Sequence, residues 1–169
     1  LMTREGYAVE NLIKQLKRLQ DTYDIRVILE PGSAVAWQTG PLVAEVVDIV
    51  ENQGLIAILD ISATAHMPDV LEMPYRPKIT AADEPGVLPY TYRLGGNSCL
   101  AGDVIGAYSF AQPLQPGDRI LFEDMMHYTM VKTTFFNGVE HPSIGIIRRD
   151  GQFELIRKFN YHDFRSRLS

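Results

Sequence analysis

Residues 41–62 read PLVAEVVDIVENQGLIAILDIS. Two runs rich in aliphatic and β-branched residues flank Asn52-Gln53-Gly54, a combination typical of a tight turn between strands. This stretch therefore predicts a β-hairpin. A second hairpin is predicted around Asp150-Gly151 within residues 143–159, because Asp-Gly favours the turns that connect paired strands. Together these signals predict a mostly β domain from residue 41 onward.

Weaker signals fill the rest of this domain. Residues 115–124, QPGDRILFED, predict a turn followed by a strand. The middle of the chain, residues 62–98, is rich in Pro, Gly and Thr, and predicts short strands and loops around KITAA (78–82) and YTYRL (90–94). Residues 160–168, NYHDFRSRL, predict a short closing helix.

The beginning of the chain has a different pattern. Residues 5–20 carry aliphatic side chains at helical spacing and predict an amphipathic helix. A short break is expected at residues 21–24, followed by a strand at residues 25–29 that ends in Glu30-Pro31-Gly32-Ser33. A helix leading directly into a short apolar strand is half of an α/β unit, so we expect neighbouring chain to cover both elements.

The composition narrows the classes of protein to which this chain can belong. The 169 residues carry a formal net charge of −5, from 16 basic and 21 acidic residues, and no basic block, which is not typical of a nucleic-acid binder. The acidic balance suits a cationic ligand, but it also suits an ordinary solvated surface. The single cysteine, Cys99, excludes an intrachain disulfide and fits a reducing compartment, so we expect a cytoplasmic protein. No apolar run predicts a membrane span, and no signal peptide is expected.

Several common kinds of site are not predicted. The four histidines are widely spaced and no cysteine pair exists, so we expect no metal site. The sequence also lacks the serine-hydrolase elbow G-x-S-x-G, the Walker phosphate loop and the dinucleotide motif G-x-G-x-x-G.

Three stretches could carry chemistry, and each also has a structural interpretation. In EPGS (30–33), Glu30 either ends a strand or faces a ligand atom while the N–H groups beyond Gly32 bind an anion. In GGNSCLAGD (95–103), Cys99 is either a small apolar residue or a reactive thiol on a polar loop. In MHYTMVKTTFFNG (126–138), the tyrosine either packs or reaches a phosphate with its hydroxyl.

The order of these stretches, together with RLGGNSCLAGDVIGAYSF (93–110) and FNGVEHPSIGI (136–146), resembles the fold type III pyridoxal-phosphate decarboxylases. That family includes ornithine, arginine and diaminopimelate decarboxylases, and the chain most resembles its carboxynorspermidine (carboxyspermidine) branch. The resemblance covers only the C-terminal part of such an enzyme. It implies the end of a (β/α)₈ barrel in residues 1–32, the last helix and strand, followed by a mostly β domain (a β-barrel or sandwich) in residues 33–169. A full barrel takes about 250 residues.

The resemblance also implies the cofactor pyridoxal 5′-phosphate and its contacts. Glu30 matches the acid that pairs with the pyridine nitrogen, whereas Gly32, Ser33 and Tyr128 match the phosphate site. Many relatives have Arg where this chain has Ser33, so backbone donors and the serine hydroxyl are expected to replace that charge. The Schiff-base lysine is expected in the N-terminal barrel portion of the same enzyme, outside this chain.

Cys99 matches the cysteine that returns a proton to the substrate's α-carbon, and it implies a homodimer with shared active sites. Glu30, Asp60 and His66 are expected to contact a carboxylated polyamine, while Leu100 stands where relatives commonly have an acid. The implied reaction converts carboxynorspermidine or carboxyspermidine to norspermidine or spermidine, in polyamine biosynthesis. The alternatives are another basic amino-acid decarboxylase of the same fold or a catalytically inactive regulatory relative.

Two further acids, Asp69 and Asp103, belong to this part of the sequence. Asp69 and Asp103 are expected to have solvated or structural roles, with Asp103 tying the cysteine loop to a neighbouring segment.

Overall fold

The computed structural model describes residues 6–168. The chain divides into two compact units, with the boundary between Trp37 and Gln38.

The first unit contains the predicted amphipathic helix. Helix α1 spans Val9–Tyr23 and ends at Asp24, which has a left-handed backbone with φ of 51°. The predicted helix is confirmed from residue 9, and its predicted start at residue 5 lies outside the described residues. The break predicted at residues 21–24 is wrong, because the helix continues to Tyr23. No residue of α1 is buried, so its apolar side is not covered within this unit.

The strand predicted at residues 25–29 is not formed within the described residues. This segment pairs with none of the strands of the described chain. Ile25, Ile28 and Leu29 are exposed, although their sequence is that of a buried strand. A strand is defined by its hydrogen-bonded partner, so these residues need a partner strand that residues 6–168 do not supply. The assignment of residues 1–32 to the end of a barrel stays a prediction.

The second unit is mostly β. Its strands are β1 Leu42–Glu51, β2 Leu55–Leu59, β3 Ala82–Asp83, β4 Tyr90–Gly95, β5 Val104–Phe110, β6 Arg119–Phe122, β7 Ile144–Ile147 and β8 Phe153–Arg157. Its helices are α2 Ala63–His66, α3 Pro68–Glu72, α4 Tyr128–Val131 and α5 Tyr161–Leu168. The hairpins predicted around Asn52–Gly54 and Asp150-Gly151, the strand after residue 115 and the closing helix are confirmed.

Six strands form one curled sheet in the order β3-β5-β4-β2-β1-β6. Neighbours are antiparallel except β2 and β4, which are parallel. An isolated bridge joins Ile79, just before β3, to Phe122 of β6 at the opposite edge. The sheet therefore curls until its two edges approach each other. Strands β7 and β8 form a separate two-stranded sheet.

The core lies inside this curl. Side chains at alternate positions of β1 and β2 point inward, as the two-residue period of a strand requires. Fully buried residues include Ala44, Val46, Ala57, Leu59, Leu94 and Phe122. The core is therefore built from the same aliphatic runs that predicted the strands.

Tyr108 on β5 fixes the segment that leads to the edge of the sheet. Its hydroxyl donates to the Pro77 carbonyl over 2.6 Å, and the Arg76 guanidinium lies 3.9 Å from the centre of its ring. The same guanidinium donates to the Ala107 carbonyl over 2.8 Å. Burial raises the pKa of Tyr108 to about 12, so this hydroxyl stays a donor at neutral pH. The side chains of Tyr108 and Arg76 therefore attach residues 76–77 to β5.

The three helices α2, α3 and α4 and the strand β5 were not predicted as elements of their own. Each of these helices has four or five residues, which is too short to show a helical period in the sequence. Two local signals for them exist. Ser62 caps α2, with its Oγ accepting from the Ala65 N–H over 3.1 Å, and Pro68 is the first residue of α3.

Replacing Tyr108 with Phe tests the attachment of residues 76–77. The change leaves the Pro77 carbonyl without the hydroxyl that it now accepts from, so the free energy of unfolding should fall by about 1–2 kcal/mol. Urea unfolding of the complete protein measures this. Tyr90→Phe, at an exposed position of β4, is the control and should have little effect. Equal urea midpoints for Tyr108→Phe and Tyr90→Phe would contradict the attachment of residues 76–77 by the Tyr108 hydroxyl.

Candidate functional site

The loop at residues 96–103, called here the cysteine loop, is closed by its last residue. The Gly96 N–H donates to the Asp103 carbonyl over 2.8 Å. The Asp103 side chain then folds back, and its Oδ2 accepts from the Ser98 N–H over 3.1 Å and from the Ser98 Oγ over 2.6 Å. A carboxylate thus fixes the part of the loop that precedes Cys99.

Asp103 also joins this loop to helix α2. Its Oδ1 accepts from the Thr64 N–H over 3.2 Å, and the residue is 4% exposed. The expected structural role of Asp103, tying the cysteine loop to a neighbour, is confirmed. The space for its carboxylate exists because residue 96 is glycine, since a Cβ there would overlap the Asp103 carboxyl group.

Cys99 lies exposed at the middle of this loop, with a free thiol. Its N–H donates to the Oδ1 of Asn137 over 3.2 Å. The following residue, Leu100, is also exposed. The alternative that Cys99 is a small buried apolar residue is therefore wrong for this unit, and its thiol is available to a molecule outside the loop.

Asp60 directly follows β2 and lies beside the cysteine loop. Its carbonyl accepts from the Asn97 Nδ2 over 3.0 Å. Its Oδ1 accepts from the Glu45 N–H over 2.8 Å, and its own N–H donates to the Glu45 carbonyl over 3.0 Å. One carboxylate oxygen thus holds the end of the β1–β2 pair. The residue remains exposed, and its contact with substrate stays a prediction.

His66 lies inside the β unit, which does not support its predicted contact with substrate. The residue is 2% exposed, its Nδ1 accepts from the Ser62 N–H over 3.2 Å, and the His141 ring meets it edge-on at 6.4 Å. Burial, together with the neighbouring His141, lowers the pKa of His66 to about 4. The sequence placed His66 in a loop, but it ends helix α2 and its ring turns inward.

Tyr128 is the first residue of α4, and its side chain is exposed. The next residue, Thr129, donates from its Oγ1 to the Oδ2 of Asp69 over 2.9 Å. Tyr75 donates to the same oxygen over 2.8 Å, and Lys132 bridges α4 to Glu72 of α3. Asp69 is buried, so the structural alternative held for it is confirmed. Helix α3 thereby fixes the position of α4 and of Tyr128.

The first unit carries Glu30, Gly32 and Ser33. Glu30 is exposed, and Gly32 begins a short 3₁₀ turn, Gly32–Val35, with φ of 56°. This positive φ explains why glycine stands there. The first backbone hydrogen bond of the turn runs from the Ala34 N–H to the Pro31 carbonyl over 3.3 Å. The N–H groups of Gly32 and Ser33 precede this hydrogen bond. The roles of these residues stay predictions.

Residues 6–168 contain no group of three or more His, Cys, Asp or Glu placed to bind a metal ion. Within the same residues, no helix has the length and apolar character needed to cross a membrane.

Residues 20–126 match the family model of the pyridoxal-dependent decarboxylase C-terminal sheet domain. The chain belongs to this family. The curled sheet is that domain, which confirms the predicted fold class.

Curated relatives give a narrower comparison. Carboxyaminopropylagmatine decarboxylase from Synechocystis sp. is 56% identical over 99% of this chain and 44% of its own length. Carboxynorspermidine/carboxyspermidine decarboxylase from Campylobacter jejuni is 47% identical over 96% of this chain and 46% of its own length. The chain therefore spans about half the length of the curated relatives that it matches.

Solved structures agree with these relatives. Carboxynorspermidine decarboxylase from Campylobacter jejuni, complexed with norspermidine, superposes with a TM-score of 0.90 at 46% identity, over 98% of this chain and 48% of that one. Diaminopimelate decarboxylase from Helicobacter pylori gives a TM-score of 0.77 at 18% identity, over 98% of this chain and 41% of that one, which shows the shared fold alone.

Gly96→Ala tests the packing of the Asp103 carboxylate. The added Cβ would push this carboxylate away from Ser98 or Thr64, so we expect a loss of about 1–3 kcal/mol in the free energy of unfolding. The peptide that contains residues 96–103 should also exchange its amide hydrogens faster. Gly102→Ala, in the same loop, is the matched control, because a Cβ there meets no atom within 4 Å. The packing argument fails if both variants unfold alike.

The buried His66 predicts a pH dependence of stability. The unfolded protein takes up a proton at this residue near its ordinary pKa of 6.5, whereas the folded protein resists protonation until about 4. The resulting stabilisation is full above pH 6.5 and is lost as the pH falls from 6.5 to 4. It amounts to roughly 3 kcal/mol over that window.

His66→Gln isolates this contribution from that of the carboxylates. The difference in unfolding free energy between the native protein and the variant should shrink from pH 7 to pH 4, as measured by urea unfolding. His162→Gln, at an exposed position of α5, is the control. A pH-independent difference for His66→Gln would contradict the prediction.

Proposed function

We propose that the complete protein is a pyridoxal-phosphate-dependent decarboxylase of a carboxylated polyamine. Its substrate is carboxynorspermidine or carboxyspermidine, and its product is norspermidine or spermidine, in polyamine biosynthesis. The observation that carries this proposal is the TM-score of 0.90 at 46% identity with the Campylobacter jejuni carboxynorspermidine decarboxylase over 98% of the chain. Because the chain spans about half of such an enzyme, the activity is proposed for the complete protein.

Glu30, Gly32, Ser33 and Tyr128 are proposed to hold the cofactor. When bound, pyridoxal phosphate supplies the electron sink that accepts the electron pair left behind by CO₂. The Glu30 carboxylate keeps the pyridine nitrogen protonated, since a nearby negative charge favours the cationic ring. The N–H groups of Gly32 and Ser33, with the Tyr128 hydroxyl, bind the phosphate. The lysine that attaches the cofactor belongs to the barrel portion.

Cys99 is proposed to donate the proton that completes the reaction. Its thiol gives the proton to the carbon that has lost CO₂, and the thiolate then regains one from water. The exposed position of Cys99 leaves its thiol open to a second surface that would exclude water. We place that surface on the partner subunit of a homodimer with shared sites. The thiol must stay reduced, which agrees with a cytoplasmic location.

A second candidate substrate is carboxyaminopropylagmatine, which the 56% identity with the Synechocystis sp. enzyme favours. The candidates differ at the end remote from the reacting carbon, where agmatine carries a guanidinium group and the polyamines an ammonium group. A guanidinium is planar and pairs with a carboxylate through two parallel hydrogen bonds. Leu100 cannot supply that carboxylate, so Asp60 is the nearby acid proposed to discriminate between the two groups.

The assay follows CO₂ release and product mass with the complete protein, pyridoxal phosphate and each candidate substrate. We expect the decarboxylated amine from at least one carboxylated polyamine, and little turnover of ornithine or diaminopimelate. Preference for one of these amino acids would favour the alternative within the fold, and no turnover of any substrate would favour an inactive relative.

Cys99→Ala tests the proton donor in the same assay. Without the thiol, some protons would reach the cofactor instead of the substrate carbon. Water would then release the substrate as an aldehyde, and the amine nitrogen would stay on the cofactor. Mixing Cys99→Ala subunits with subunits that lack the Schiff-base lysine should restore activity if sites are shared. An unchanged product and rate would remove Cys99 from the reaction, and no recovery despite subunit exchange would contradict shared sites.

A further inference from the structure

The hydrogen bonds of Asp103 fix the cysteine loop on both sides of Cys99, and they do not include Cys99 itself. Asp103 holds Gly96 and Ser98 before it, as described above. On the other side, the Asp103 N–H donates to the Leu100 carbonyl over 2.9 Å. Cys99 stands between these anchored residues, so its peptide group needs a contact of its own to have one orientation.

Asn137 supplies that contact from a distant part of the chain. Its Oδ1 accepts from the Cys99 N–H over 3.2 Å, across 38 residues of sequence. In the described part of the chain, this is the hydrogen bond that Cys99 makes. The acceptor therefore fixes the peptide plane from which the thiol projects.

The backbone of Asn137 suits this task. Its φ of 59° and ψ of 11° lie in the left-handed region, which asparagine tolerates better than most residues and which interrupts the short turn Phe136–Gly138. Since the side chain of asparagine is short, the direction of its amide follows closely from this backbone. Asn137 lies in the stretch FNGVEHPSIGI, and its local signal is the Asn-Gly pair, which indicates a turn but not the contact with Cys99.

The segment that carries Asn137 is anchored to the same helix as the cysteine loop. The Thr134 N–H donates to the Ala65 carbonyl of α2 over 2.8 Å. Phe135 stacks on His141 with ring centres 3.8 Å apart. Helix α2 in turn donates from Thr64 to Asp103. The contacts thus form a closed ring from the cysteine loop through α2 to Asn137 and back to Cys99.

We infer that Asn137 is a positioning residue for Cys99, holding its thiol in the orientation from which it delivers the proton. This inference rests on the proposed function. Losing one such hydrogen bond corresponds to about a fivefold change in the population of the oriented loop. Because protonation follows loss of CO₂, the product ratio should change more than substrate binding.

Two variants separate the effect of the Asn137 Oδ1 acceptor from the effect of its left-handed backbone. Asn137→Gly keeps the left-handed conformation accessible and removes the acceptor. Asn137→Asp keeps both an acceptor and a residue that tolerates this conformation. Gln53→Gly is the matched control, because Gln53 also has a positive φ, of 54°, in the exposed β1–β2 turn.

Two measurements are made on the complete protein. The ratio of aldehyde to amine product, with kcat and KM, is measured with the best carboxylated polyamine. Hydrogen exchange of the peptide that contains residues 96–103 is measured without substrate. For Asn137→Gly we expect about a fivefold higher aldehyde fraction, little change in KM and faster exchange of one amide. Asn137→Asp and Gln53→Gly should stay near the native values.

The inference is overturned if Asn137→Gly matches the native protein in product ratio, or if Asn137→Asp is changed as much as Asn137→Gly. Faster exchange with an unaltered product ratio also overturns it, because the bond would then be structural only. If the native protein turns over no carboxylated polyamine, the proposed function fails, and the exchange data still report whether Asn137 holds Cys99.

Discussion

The buried carboxylate of Asp103 is the constraint on which the cysteine loop depends. A charged group out of water is costly unless hydrogen bonds replace its hydration. Here the Ser98 N–H, the Ser98 hydroxyl and the Thr64 N–H provide them. The donors come from two separate segments, so the carboxylate can be satisfied only when the loop and helix α2 lie together. The cost of burying the charge therefore selects one arrangement of the loop.

Much of the fold could be predicted because its signals are local. The hairpin at residues 52–54 follows from two aliphatic runs and a turn sequence, and the strands it joins carry the core. The short helices α2 and α4 could not be predicted from periodicity, since each has only one turn. The strand predicted at residues 25–29 is not formed in the described residues, for another reason. Its sequence shows that it should be covered, but a strand forms only with a partner, and the described chain does not contain it.

The candidate site also contains residues that the sequence could single out and residues that it could not. Cys99 and Asp103 could be singled out because they lie in one short loop, where a lone thiol and a nearby acid are visible together. Asn137 could not, because its hydrogen bond to Cys99 spans 38 residues and depends on a backbone angle. The substrate contact predicted for His66 stays a prediction that its burial at the end of α2 does not support. Residue type indicates the chemistry of a site, whereas the direction of each side chain depends on the fold.

The parallel pairing of β2 with β4 has a consequence for how the protein folds. The hairpins β1–β2, β4–β5 and β7–β8 each close a short loop, whereas β2 and β4 meet only after the intervening segment with α2 and α3 has folded back. Contacts between residues distant in sequence form slowly, because chain entropy is lost before the contact is gained. The cysteine loop follows β4 directly, and its partners Asp60 and Thr64 follow β2. We therefore expect the cysteine loop to become ordered late in folding, after β2 and β4 have paired.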